Sequence, residues 1–287
     1  GASASARVNM YRIAAELVAE KPVFGHGIGS FLRVWGQQAG DYHQRFPDAV
    51  LPEYVTHPHN EIVYWLIEGG VVAFSGMLLI FAVVLLALWR CGLHRGGAYL
   101  ALLLPIGLHS LVELPFYISS LHWFLWMFLI FVVLRHRTKT KPLELSRPAT
   151  RLIPALALVL SIGSGYFLLH TARAQADIMA FLQAKPGGGP YLEIARNNLY
   201  FKSRAEGLAM RSLLHHAIQN QQPEKVQVFL AWGEPRLALW PGLKLHEDLI
   251  NAYHFLKDNK NKCRIIHEGA WRYPANEPLG KAVLGCK

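Results

Sequence analysis

The expected fold is all-α: a polytopic membrane protein with about four transmembrane helices and a helical C-terminal domain. Three features of the chain lead there. First, hydrophobic residues make up 52% of it and charged ones only 17%, and the apolar residues are gathered into long runs. Second, residues 71–89, 114–134 and 152–169 are stretches of 19, 21 and 18 residues that carry almost no charge, with no Asp, Glu, Lys or Arg among them. A helix rises about 1.5 Å per residue, so about 20 apolar residues cross the hydrocarbon core. Third, basic residues crowd the short segments between runs. Arg90 and Arg95 flank one, and Arg135, Arg137, Lys139, Lys141, Arg147 and Arg151 fill another.

That placement gives the net charge of +10 its meaning. Short loops rich in Lys and Arg mark the cytoplasmic face of a membrane protein. The excess is therefore a topology signal, the bilayer is the expected partner, and nucleic acid is not.

Residues 1–60 precede the first span. Arg7 to Glu20 has the spacing of an amphipathic helix with Met10, Ile13, Ala14 and Leu17 on one face, and Lys21-Pro22 ends it. Gly25, Gly27 and Gly29 then alternate with other residues. Such glycines permit a tight turn or close approach to an anion. No strand precedes them and the spacing is GxGxG, so a structural turn near the membrane surface is the expectation. Thr56-His57-Pro58-His59-Asn60-Glu61 leads directly into the apolar run.

The expected spans are 61–89, 96–113, 114–134 and 152–170; the second is weaker, carrying Pro105 and His109. Pro115 marks a tight turn between the second and third. Alternation around the basic loops puts residues 1–60 and the tail, 171–287, on the non-cytoplasmic side. Tyr117, Trp123 and Trp126 read as interfacial aromatics. The tail reads as helices over 205–219, 224–232 and 243–256, punctuated by the Pro-Gly-Gly-Gly-Pro run at 186–190, Pro223 and Pro235. Cys91 falls at a cytoplasmic helix end, where a free thiol is expected. Cys263 and Cys286 fall in the tail, in an oxidising compartment on this topology, and a disulfide between them is expected. The chain opens without an initiating Met, so it is expected to be the C-terminal part of a longer protein.

Chemistry points to the His57/His59 pair. A metal is the least favoured reading, because only two ligands are local and Pro58 constrains them; no metal or cofactor is expected. Base and interfacial bystander remain open alternatives. An imidazole titrates near neutrality and can take a proton from an attacking hydroxyl. Asn60 can cap the following helix. Glu113, an ionisable group near membrane depth, is a candidate for the site or for a structural contact.

Several stretches resemble the O-antigen ligase superfamily: Arg7 with Met10-Tyr11, Lys21-Pro-Val-Phe-Gly-His-Gly-Ile-Gly29, and His57-Pro-His-Asn-Glu61 before an apolar helix. Within it, His109-Ser-Leu-Val-Glu-Leu-Pro115 and Leu121-His-Trp-Phe124 are similar to the branch of pilin-type protein O-oligosaccharyltransferases. The resemblance implies a bacterial inner-membrane enzyme whose active site and tail face the periplasm. It would move an oligosaccharide from undecaprenyl pyrophosphate to a Ser/Thr hydroxyl of a periplasmic protein such as a pilin. His59 would be the catalytic base and Arg7 the cation on the leaving pyrophosphate, with His57, Asn60, Glu113 and His26 in support. An O-antigen ligase with a lipid A-core acceptor and a repeat-unit polymerase share this chemistry. A transporter or membrane-anchored scaffold is the non-enzymatic alternative.

Overall fold

A computed structural model describes residues 2–135, 146–184 and 192–286, all helix and connecting loop, with no strand among the described residues. Arg137, Lys139 and Lys141 of the second basic loop and the Pro-Gly-Gly-Gly-Pro run lie outside the described residues. The chain forms two compact units, one of Gly1–Lys139 with Gly233–Lys287, the other of Thr140–Trp232.

In the first unit, α1 (Ala2–Glu20) buries Met10, Ile13, Ala14 and Leu17, the face its 3–4 spacing predicts. They join Phe31, Val34, Trp35 and Tyr42 of α2 (Phe31–Arg45) in one core, with Tyr64, Ile67 and Leu114. Gln38 and Arg45 of α2 both bond Glu16, fastening the two helices on their polar side.

Next comes α3 (Glu61–Arg90), which is not one continuous rod. Gly70 breaks it, at φ 62° and ψ −160°. The break follows from geometry. Gly92 turns the chain into α4 (Leu93–His109), which returns alongside α3, with Gly96 against the Leu88 carbonyl. Thirty straight residues would extend about 45 Å and the seventeen of α4 about 25 Å, leaving the ends roughly 20 Å apart. Yet Glu61 N–H donates to the Ser110 carbonyl at 2.9 Å. Bending at Gly70 is what brings the start of α3 back to the end of α4.

The expected span 114–134 is divided. Pro115–Ile118 is a short helix, α5, and Ser119 is extended before α6 (Ser120–Arg135) begins. Val84, Ala87 and Leu88 of α3 pack with Leu103 of α4 and with Ile130 and Val133 of α6. Much of the remaining apolar surface is exposed, including Leu79, Phe81, Leu86, Phe124 and Phe131. A water-facing surface of that kind is uncommon, and these side chains suit lipid.

The second unit holds α7 (Arg147–Gln183), α8 (Glu193–Arg196), α9 (Lys202–Gln219) and the first part of α10 (Pro223–Leu239). With α3, α7 is one of two described helices long and apolar enough to cross a membrane, and its apolar window is wholly unburied. Asp177, near the end of α7, accepts N–H bonds from Leu192, Ile194 and Ala195 at the start of α8.

The remaining helices of the first unit are α11 (Leu243–Phe255), α12 (Asn259–Arg272) and α13 (Glu277–Val283). Cys263 of α12 is disulfide-bonded to Cys286, and Cys91 is free. These helices meet the N-terminal segment, because α12 packs on α2, a helix not expected from the sequence. A Cβ on Gly40 of α2 would stand 2.6 Å from the Trp271 ring and carbonyl. Gly40→Leu should therefore cost about 1–3 kcal/mol by overpacking, read as a lower melting temperature in detergent. Asn276 Nδ2–H donates to Glu53, a second tie between the tail and this segment.

Candidate active site

Two linkers meet here: residues 56–61, which lead into the first residue of α3, and residues 110–116, which run from the end of α4 into α5. Their joining is specific. Asn60 accepts from Val63 N–H through Oδ1, capping α3, and donates from Nδ2 to the Leu111 carbonyl. Glu61 is 3% exposed, and its carboxylate accepts the Phe116 N–H of α5 at 3.2 Å. Leu114 is fully buried in the α1–α2–α3 core, anchoring the second linker from below.

The clamp presents Glu113 to both histidines. His57 Nε2 stands 2.5 Å from Glu113 Oε1, and His59 Nδ1 is 3.2 Å from each carboxylate oxygen. His57 Nδ1 lies 2.8 Å from the Thr56 hydroxyl. Proton positions follow from the partners. A carboxylate only accepts, so His57 donates from Nε2, and in the neutral ring Nδ1 accepts a hydrogen bond from the Thr56 hydroxyl. His59 likewise donates from Nδ1, and among the described residues no hydrogen bond occupies its Nε2. The His59 side chain is 45% exposed and that of His57 18%. His59 is thus the reachable imidazole, and His57 is held on both nitrogens.

Two local features of the arrangement stand out. His59 has φ 50°, a backbone region that residues other than Gly seldom occupy and that clusters at functional sites. Glu113, in the linker beyond α4, is perturbed as well. Burial raises its carboxyl pKa, but hydrogen bonds from His57 and then His59 outweigh that, and the net pKa is lowered. Its stabilising contribution is therefore complete above the ordinary carboxyl range and is lost as pH falls through the lowered value. Glu113→Gln should melt at a lower temperature than the unsubstituted chain near neutral pH, and the gap should close on acidification through that range.

The same three side chains bring two imidazole nitrogens and a carboxylate oxygen within 4.8 Å of one another, a set of groups that can ligate a metal. In the geometry described, the carboxylate already accepts from both rings, so the cluster is satisfied as a hydrogen-bonded unit.

Comparison with known families fits this picture. The model described as "Virulence factor membrane-bound polymerase, C-terminal" matches residues 98–283, more than half of the chain. The chain belongs to that family. The model described as "O-Antigen ligase" matches residues 1–78, so the two linkers of the site fall one in each matched region. Neither the curated proteins nor the solved structures include a match. Membership of this family and the apolar helices α3 and α7 together make this a helical membrane protein of the O-antigen ligase type.

Within this family member, His57, His59, Asn60 and Glu113 come together, and no hydrogen bond among the described residues joins the other two expected residues to them. Arg7 is exposed on α1, and no hydrogen bond or ion pair joins it to the cluster among the described residues. His26 Nε2 donates to the Leu17 carbonyl at 2.9 Å, tying the glycine loop to α1.

Two buried carboxylates that sequence reasoning passed over hold loops in place, one at the cluster and one at the glycine loop. Glu61 is one. Glu68, only 1% exposed, is the other, accepting the N–H groups of Gly29 and Phe31 at 2.9 and 3.0 Å. Their signal was available: an ionisable group inside an apolar helix is a functional candidate by default.

Proposed function

We propose that this chain carries the acceptor-activating site of a membrane oligosaccharyltransferase, with a glycan on a lipid pyrophosphate as donor and a hydroxyl as acceptor. The observation that carries it is the open Nε2 of His59, with Nδ1 held by Glu113. A base oriented in this way can take the acceptor proton as the hydroxyl oxygen attacks the anomeric carbon. The bond from that carbon to the pyrophosphate oxygen breaks on the opposite face, inverting the centre in one step. Arg7 supplies paired N–H donors to the developing phosphate charge. Its exposure on α1 leaves it accessible to a lipid-borne anion.

In this reading all four apolar stretches cross the inner membrane, and the site and tail face the periplasm. The acceptor is a Ser/Thr hydroxyl of a pilin-like protein. Intact-mass analysis of the periplasmic acceptor, with and without the full gene, tests it. The expected result is loss of one glycan mass on deletion; unmodified acceptor in both strains overturns it.

A second reading, joining of glycan repeat units, is favoured by the description of the family model that matches residues 98–283. Its acceptor is a sugar hydroxyl. Deletion would then collapse a ladder of surface-glycan lengths to single units.

Glu113→Gln keeps an acceptor for the imidazole N–H groups but loses the charge that favours imidazolium as His59 takes up the proton. Transfer should fall roughly 10–100-fold, the size of the loss when the carboxylate that orients a metal-bound histidine is removed. His57→Ala should fall by less, because His57 offers no open nitrogen.

A further inference from the structure

The glycine loop ends in side chains that the protein does not cover. Phe24, just before Gly25, is 75% exposed, and Ile28, between Gly27 and Gly29, is 86% exposed; all three glycines have positive φ. Val23 beside them is half exposed. From the other end of the chain, Leu239 and Trp240 are 65% and 55% exposed, and the Trp240 ring reaches the loop at Gly29. Nothing in the mechanism uses these five residues.

Their position says what they face. Pro22 and Val23 carbonyls accept the N–H groups of Val71 and Val72 at 2.8 and 3.2 Å. Those are the first donors after the break at Gly70, and helix N-termini leave such donors unpaired unless something caps them. The loop is the cap. It therefore sits at the mouth of the 19-residue uncharged run 71–89, whose exposed side chains begin with Val71 and Val72 themselves. Phe24 and Ile28 are carried by the loop that caps this run.

We infer that Val23, Phe24 and Ile28, with Leu239 and Trp240, form a lip that dips into the headgroup–acyl boundary of the bilayer and pins both the glycine loop and the C-terminal segment to it. Indole and phenyl rings suit that boundary, and no Lys, Arg, Asp or Glu lies between Phe24 and Ile28 to oppose entry. The inference does not depend on the reaction assigned to His59. The lip would hold under any activity, and its failure would leave the base untouched.

The test uses the full chain in proteoliposomes with Cys91→Ser, so that a thiol-reactive, environment-sensitive fluorophore labels one added cysteine, either Ile28→Cys or Phe24→Cys. Nitroxides on shallow or deep acyl positions should quench the label and place it about 5–10 Å below the headgroup boundary, with blue-shifted emission and little quenching by aqueous iodide. Trp240→Cys should report the same depth. Full iodide quenching without lipid quenching at both loop positions overturns the inference. So does protection that appears only when acceptor protein or a second copy of the chain is added, since the patch would then be a protein interface.

Discussion

Replacing His59 with Ala is expected to lower glycan transfer by about 10²–10⁴-fold while the chain still inserts and folds. The size follows from the work assigned to the imidazole, which is proton removal from a hydroxyl too weakly acidic to ionise at neutral pH. Position 59 also carries backbone strain, with φ 50°, of the kind that costs about 1–3 kcal/mol. His59→Gly separates the two roles. Glycine accepts positive φ freely, so that variant should be more stable than His59→Ala, which keeps the strain, and just as inactive. Transfer assays and thermal unfolding in detergent give the two readouts. Full transfer by His59→Ala would remove the base. Loss of transfer on chelation, restored by a divalent cation, would recast His57, His59 and Glu113 as a metal site.

The largest structural effect is expected at Gly70. Its φ of 62° with ψ −160° lies in a region that is almost exclusively glycine's. A Cβ there would stand 2.4 Å from the Val23 carbonyl oxygen, and one on Gly25 would meet the Glu68 backbone at 2.5 Å. The loop and the helix break cross with no room for a side chain on either. Gly70→Ala combines backbone strain of about 1–3 kcal/mol with overpacking of about 1–3 kcal/mol. That is enough to straighten the break or unfold the loop, and Glu61 would then lose Ser110. The control is Gly76→Ala, further along the same helix, where nothing lies within 4 Å of the added methyl. It should be neutral or stabilise by about 0.5–1 kcal/mol. Thermal unfolding in detergent and transfer activity should both fall for the first variant and hold for the second. Equal stability of the two would mean that the crossing has no energetic role.

Legibility in the sequence tracked locality. The buried face of α1 was readable because 3–4 spacing on one helix needs no partner to be recognised. Asn60 as a cap was readable for the same reason, since its acceptor duty lies three residues away. By contrast α2 escaped notice. Gly36 and Gly40 depress its helix propensity, and what Gly40 makes room for is the ring of Trp271, far along the chain in α12. Such a glycine looks like a helix breaker until the partner it admits is known.

Composition and short-range spacing were enough for the membrane class, the uncharged runs, the amphipathic α1 and the two histidines as the residues to watch. Each of these depends on neighbours within a few positions. Folding alone established that Glu113 serves His57 and His59, that Glu68 holds the glycine loop, and that α3 breaks at Gly70 so that residues 56–61 can reach 110–116. Hydrogen bonds between groups about fifty residues apart leave no periodic trace in a chain. They exist only where the fold brings a donor and an acceptor within about 3 Å.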